Sequence, residues 1–211
     1  MSEQPAGANA TAIKLPQPKP NGPVSVEEAI ARRRTIRDFT DRPLSIEGLS
    51  QLPWSLQGMT DEGRRLRAAP SAGATFPLEV IVVIGAFGVG GLPAGVYLYL
   101  PGDHALRPRR NGDLRQQLSG VALGQQAIAQ APASLIIAAD YERTRPRYRN
   151  RTERYVHMEA GHAAQNVYLQ ATALGLGTVA IGAFDDSGVR DLLSLSGNLQ
   201  PLYILPVGKP A

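Results

Sequence analysis

The chain contains no cysteine. Disulfides, thiolate catalysis, Cys-ligated zinc and iron–sulfur clusters are therefore excluded. Long apolar runs are missing too: none approaches the ~18–20 residues that a membrane-crossing helix needs. The first residues lack the charged-then-apolar layout of a secretory signal. The expectation is a soluble, cytoplasmic protein with no membrane partner. Aromatic residues are scarce at 6%, with a single tryptophan. They are not interleaved with the basic residues, so nucleic acid is not an expected partner. Neither GxxxxGK[ST] nor a GxGxxG between strand and helix occurs, which leaves P-loop and Rossmann sites without support. The three histidines, His104, His157 and His162, form no HExxH pattern, and no metal is expected.

What is present fits one folded domain. A chain of 211 residues can bury a substantial core, and 43% apolar with 19% charged residues reads as globular. Lys plus Arg number 22 against 18 for Asp plus Glu, a net charge of +4. Arginine comes in clusters, at 32–34, 64–67, 109–110 and 143–154. Each is either solvated surface or an anion site.

One stretch organises the rest, Tyr155 to Phe184. Ala160, Ala163, Ala164, Val167, Tyr168, Ala171 and Leu174 repeat at helical spacing. The other face carries no clear charge, which predicts a helix buried on most sides. Gly175 and Gly177 are placed to end it. Thr178 to Ile181 are β-prone, and Gly182 follows where that strand should stop.

Along the rest of the chain, residues 1–23 read as a flexible tail and 24–211 as a single domain. Ser25-Val26-Glu27-Glu28 has capping-box spacing, so a helix is expected from Val26 to Arg33. A second should cover Ser45 to Gln57, broken or kinked by Pro53. Trp54 reads as core, 58–69 as a polar loop, and Pro70 to Phe76 as a turn of small residues. Leu78 to Ile84 and Ala133 to Ala139 are continuous apolar runs, hence buried strands. Gly95 to Leu100 alternates as a strand. Asp103 to Arg107 reads as a turn, 113–118 and 121–129 as helix, and 140–154 as a loop or cover. Asp185 should cap a short helix, and Leu202 to Val207 should form the last strand.

Four separated features suit a ligand with one phosphate and one planar ring. They are the cationic turn Arg33 to Arg37, the small-residue loop 70–75, the bare backbone at Gly182-Ala183, and Lys209 after the last strand. Flavin mononucleotide has that form.

Five segments carry a resemblance: RRTIRDF (33–39), APSAGATFPLEV (69–80), GVYLY (95–99), RYVHMEAGHAAQNVYLQATALGLGTVAIGAF (154–184) and LYILPVGKP (202–210). The chain resembles the nitroreductase-like flavoproteins, most closely the branch called SagB-type dehydrogenases, relatives of the azoline oxidases. The resemblance runs from Ser25 to the end. It implies an α+β, nitroreductase-like fold, with a mostly antiparallel central sheet surrounded by helices. It also implies a homodimer with a long interface helix and FMN at the subunit interface. By position, Arg33, Thr35 and Lys209 would hold the FMN phosphate, with Arg34 in the same turn. Arg37 would face the N1/O2 edge of the ring. Ser71, Ala72 and Gly73 would line the ring from the partner subunit. Gly182 and Ala183 would turn backbone N–H groups toward N5, and no side chain is assigned a catalytic role.

The implied activity is ping-pong hydride transfer from NADPH or NADH to a small nitroaromatic or quinone-type acceptor. Alternatives are azoline dehydrogenation in peptide modification, or a flavin-binding partner subunit without turnover of its own. The azoline-oxidising relatives use a Lys-Tyr pair just before the RYVHMEAGH run. Here Tyr148 and Tyr155 have arginine neighbours instead. Glu159, His162 and Gln165 read as polar groups hydrogen-bonded within the dimer interface.

Overall fold

A computed structural model describes residues 11–211. The first ten residues of the expected tail lie outside that range. The centre is a seven-stranded sheet whose ladders are all antiparallel, in the order β1-β6-β5-β4-β7-β9-β8. These strands span Ile13–Lys14 (β1), Leu78–Ile84 (β4), Gly95–Leu100 (β5), Ala105–Asn111 (β6), Ala133–Asp140 (β7), Gly177–Thr178 (β8) and Leu199–Gly208 (β9). A separate hairpin joins β2 (Met59–Asp61) to β3 (Leu66–Arg67).

The central strands are apolar throughout because helices cover both faces. Successive side chains point to opposite faces of a strand. In β4, Leu78, Val80, Val82 and Ile84 join one core, while Ile81 and Val83 join the other. In β7 the same division puts Leu135 and Ile137 on the first side and Ile136 and Ala138 on the second. The first face is covered by α2 (Ile46–Gln57), through Leu49, Leu52 and Leu56, and by α6 (Thr152–Ala173). The second is covered by α3 (Arg115–Val121), α4 (Gln126–Gln130) and α7 (Asp186–Leu192). Two further helices, α1 (Val26–Arg32) and α5 (Arg145–Tyr148), lie beside α6. The α+β reading with a mostly antiparallel sheet holds.

The small residues of α6 let it lie close to the sheet. Val156, Ala160, Ala163, Ala164, Val167 and Ala171 are all buried at helical spacing. The opposite face is open within this chain: His157, Met158, Gly161, His162 and Gln165 are exposed. The helix is therefore buried on one side only, not on most sides. It ends in a Schellman turn. The Leu176 N–H reaches the Ala171 carbonyl at 2.8 Å, and the Gly175 N–H reaches Thr172 at 3.1 Å. Gly175 has φ +66, where a side chain would add strain.

Several expectations need correction. Ile13 pairs with Leu106, and Leu15 is buried in the core. Residues 13–15 thus belong to the folded unit, because two apolar side chains stand among prolines that masked them. The helix α2 runs through Pro53 without a break, and buried Leu49, Leu52 and Leu56 hold it in place. Trp54 is half-buried at a cavity wall, not core. The 58–69 loop contains the β2–β3 hairpin. The expected 103–107 turn gives way at Ala105 to β6. Beyond Leu106 that strand is RPRRN, which pairs through backbone and offers no apolar alternation to read. The 140–154 segment is a chain of short helical turns, at 141–143, 145–148 and 149–151, leading into α6.

Candidate functional site

The turn after α1 is held against the end of α6. The Ile36 N–H donates to the Thr178 carbonyl at 3.0 Å, and Thr35 bridges Thr178. Gly177 permits this approach, since a Cβ there would lie 2.7 Å from that of Ile36. On the other side, the Thr40 N–H reaches the Lys209 carbonyl at 2.9 Å, and Phe39 bridges Pro210. The first turn and the end of the last strand, far apart in sequence, are thus clipped to the same place.

Tyr168 sits at the middle of this junction. Its hydroxyl accepts the Ala180 N–H at 2.8 Å and lies 3.4 Å from the Thr35 hydroxyl. The Arg33 guanidinium lies over its ring, 5.1 Å from the centroid. The Lys209 ammonium donates to the Gly175 carbonyl at 3.2 Å, one turn further on. Neither Arg33 nor Lys209 has a carboxylate partner among the described residues. Arg33 is half-buried, and Thr35, Arg37 and Lys209 are exposed. Arg34 is used differently: its guanidinium donates to the Ala31 and Arg33 carbonyls at 3.0 and 2.8 Å. That contact closes the C-terminus of α1, where a cation is favoured.

From Thr178 the backbone passes Tyr168 and reaches Gly182 and Ala183, both exposed. The Ala183 carbonyl accepts from Gln125 Nε2 at 3.1 Å, which leaves its N–H side free to face a ligand. Arg33, Thr35, Lys209, Gly182 and Ala183 therefore border one surface. Arg37 follows in the same turn.

Ser71, Ala72 and Gly73 do not join them in this chain. Their loop lies against Glu159, nine residues before Tyr168 on α6, or roughly 13 Å along the helix axis. The loop is braced from outside by Arg147 Nη1, which donates to the Gly73 carbonyl at 3.1 Å. Thr75 and Thr144 hydroxyls meet at 2.9 Å, and Arg143 pairs with Glu79. The arginine-rich segment is in part this brace.

Glu159 is 3% exposed, and burial pushes its carboxyl up to about 7. A Ser71 hydrogen bond, the Arg67 charge and the Ala72 N–H all act against that rise and do not cancel it. Glu159 is a group of the folded chain's own interior, not an interface residue as the sequence implied. His162 and Gln165 do lie on the open face of α6.

The largest cavity, about 720 Å³, lies elsewhere, between residues 17–26, α2 and the end of α6. Among the ten residues predicted from sequence, Lys209 alone lines it. Trp54, Leu169 and Leu174 give it apolar walls. We place the candidate site on the polar junction and not in this cavity, because the unpaired donors gather at the junction. Sequence reasoning missed Tyr168 as the organiser. Its one signal was a hydroxyl-bearing aromatic among alanines, two turns before the glycine stop.

With fold and site in view, the comparisons with known proteins agree. The nitroreductase family pattern matches residues 30–209, and the chain belongs to the nitroreductase family of oxidoreductases. A nitroreductase-type protein of Methanocaldococcus jannaschii is 45% identical over 186 residues, covering 88% of this chain and 91% of the other. The microcin B17-processing protein McbC of Escherichia coli is 28% identical over 75% of this chain, which spans only 60% of McbC. Among solved structures, a nitroreductase-type protein of Ralstonia eutropha superimposes with TM-score 0.83 at 28% identity, covering 100% of this chain and 95% of that one. The E. coli microcin synthetase McbBCD complex with truncated pro-MccB17 contains a chain with TM-score 0.76 at 26% identity, covering 97% of this chain and 79% of that one.

Proposed function

We propose that this chain is an FMN-dependent oxidoreductase that takes reducing equivalents from NADPH or NADH and passes them to a small organic acceptor of nitroaromatic or quinone type. The observation that carries the reading is the junction of Arg33, Thr35 and Lys209, three donors held together with no carboxylate to neutralise them. That donor set fits a phosphate monoester, which is close to a dianion and favours charge-assisted partners. When bound, FMN supplies a two-electron carrier with its reactive edge at N5.

The chain's own residues bind and tune. Arg33 and Lys209 balance the phosphate charge, and the Thr35 hydroxyl donates to it. Arg37, later in the same turn, stabilises negative charge at the N1/O2 edge of the ring. Gly182 and Ala183 present backbone with little side-chain bulk, which leaves a face of the ring open to nicotinamide and acceptor in turn. The 71–73 loop reaches the ring from a second copy of the chain. Two observations support a homodimer: the loop's distance from the junction, and the open face of α6 with exposed Met158 beside Gly161. An FMN titration of the flavin-free protein, followed by stopped-flow reduction with NADPH and with NADH, tests the proposal. Saturable binding and bleaching by either nucleotide support it; failure to bind FMN contradicts it.

Similarity to McbC, and to the trifolitoxin operon protein TfxC of Rhizobium leguminosarum at 27% identity, favours a second reading. In it, the acceptor half-reaction is replaced by dehydrogenation of an azoline ring in a peptide, or the chain is a flavin-binding subunit of a larger assembly. Loss of two hydrogens from an azoline-bearing peptide, followed by mass, distinguishes it.

A further inference from the structure

Glu159 is a buried acid for which the reading above has no use. Helical spacing places it beside Val156, Ala160 and Ala163 on the covered face of α6. A carboxylate there needs partners for both oxygens, yet Oε1 has none among the described residues. What it does face is the 71–73 loop: the Ser71 hydroxyl and the Ala72 N–H both hydrogen-bond to it. Ser71 Oγ in turn accepts the Phe76 N–H at 2.9 Å. The Phe76 ring lies under the Arg67 guanidinium, 4.5 Å from centroid to carbon. The loop backbone is left-handed at Ala74 and Phe76 as well as at Gly73, with φ of 53, 45 and 57. Such backbone persists only where its surroundings hold it.

We propose that Glu159 is a positioning residue, a proton-controlled latch that holds the 71–73 loop when ionised and loosens it when protonated. The direction follows from the contacts. A hydroxyl and an amide N–H both donate to the acid, and such bonds strengthen when the acceptor is charged. Protonation, with the proton drawn from solvent, weakens both and frees the strained segment to relax. The charged group facing Glu159 is Arg67 on β3. Arg67 is itself faced by Arg143, Arg65 and Glu79. The outer brace, through Arg147 and Thr144, involves no carboxylate. The latch is therefore the acidic side of the loop's support. The consequence for FMN rests on the reading that this loop lines the flavin ring; the latch itself does not.

The test uses the full chain and separates the two. Backbone amide shifts of Ala72 and Phe76 are followed by NMR from about pH 5 to about pH 9. The expected result is one transition with a midpoint about 7 in the wild type. Glu159→Gln, which keeps shape and an acceptor but cannot ionise, should abolish it. Ser71→Ala should move the midpoint upward, because it removes a bond that favours the ionised form. Amides that do not move in the wild type, or a transition that survives in Glu159→Gln, overturn the latch, and so does a midpoint lowered by Ser71→Ala. FMN affinity should rise about fivefold or more across the same midpoint, and not in Glu159→Gln. A protein whose amides titrate as expected but which takes up no FMN refutes the flavin reading and upholds the latch.

Discussion

The Tyr168 hydroxyl accepts the Ala180 backbone N–H at 2.8 Å, tying the long helix to the segment that leads to Gly182. The same hydroxyl stands 3.4 Å from Thr35, and its ring carries the Arg33 guanidinium. One phenol thus positions parts of three separate elements.

Tyr168→Phe keeps the ring under Arg33 and removes the acceptor. The Ala180 N–H loses its partner in a part-buried setting, which costs about 1–3 kcal/mol. Chemical denaturation should show that loss, and FMN affinity should fall with it. Unchanged stability and affinity together would mean that the phenol holds nothing.

Gly177→Ala should act on the site without touching any charged group. The added Cβ would meet Ile36 at 2.7 Å and push the 33–37 turn away from β8. Because Arg33 and Thr35 ride on that turn, FMN binding should weaken about tenfold, measured by fluorescence titration, for a shift worth about 1.4 kcal/mol. Wild-type affinity would show that the turn can move without cost.

Lys209→Ala should also weaken FMN binding, about tenfold or more, since a charge-assisted contact contributes about 1.5–3 kcal/mol. An unaltered dissociation constant would remove the last strand from the phosphate site.

Stability should depend on pH through Glu159. Its folded value, about 7, is raised above the ordinary 4.5, so the folded state keeps a proton that the unfolded state releases. Its contribution is fully present below about pH 4.5 and is lost as pH rises to about 7. The slope in that window is at most about 1.4 kcal/mol per pH unit. Urea unfolding at several pH values should show the decline in the wild type and not in Glu159→Gln. Stability that rises through the window at the wild type's Glu159 alone would reverse the assignment.

The buried parts of the fold were legible because burial leaves a pattern. The runs Leu78 to Ile84 and Ala133 to Ala139, and the alanine stripe of α6, each announce a covered surface. The strand β6 was not legible, since RPRRN pairs through backbone groups that every residue has. The same holds for the β2–β3 hairpin. Arg33, Thr35 and Lys209 could be named from segments 33–39 and 202–210, and the fold brings them together at the end of α6. The role of Tyr168 was hidden, because its three partners come from positions 33, 35 and 180. Glu159 was misread for a related reason: polarity on an apolar helix does not say which face a residue occupies.

The central claim is that the Arg33–Thr35–Lys209 junction serves a flavin. An ultraviolet–visible spectrum of the protein as purified, before and after addition of NADPH or NADH under anaerobic conditions, tests it most directly. The account predicts flavin absorbance bands that bleach on addition of at least one of the nucleotides. A colourless protein that acquires no such bands when FMN is added would contradict it.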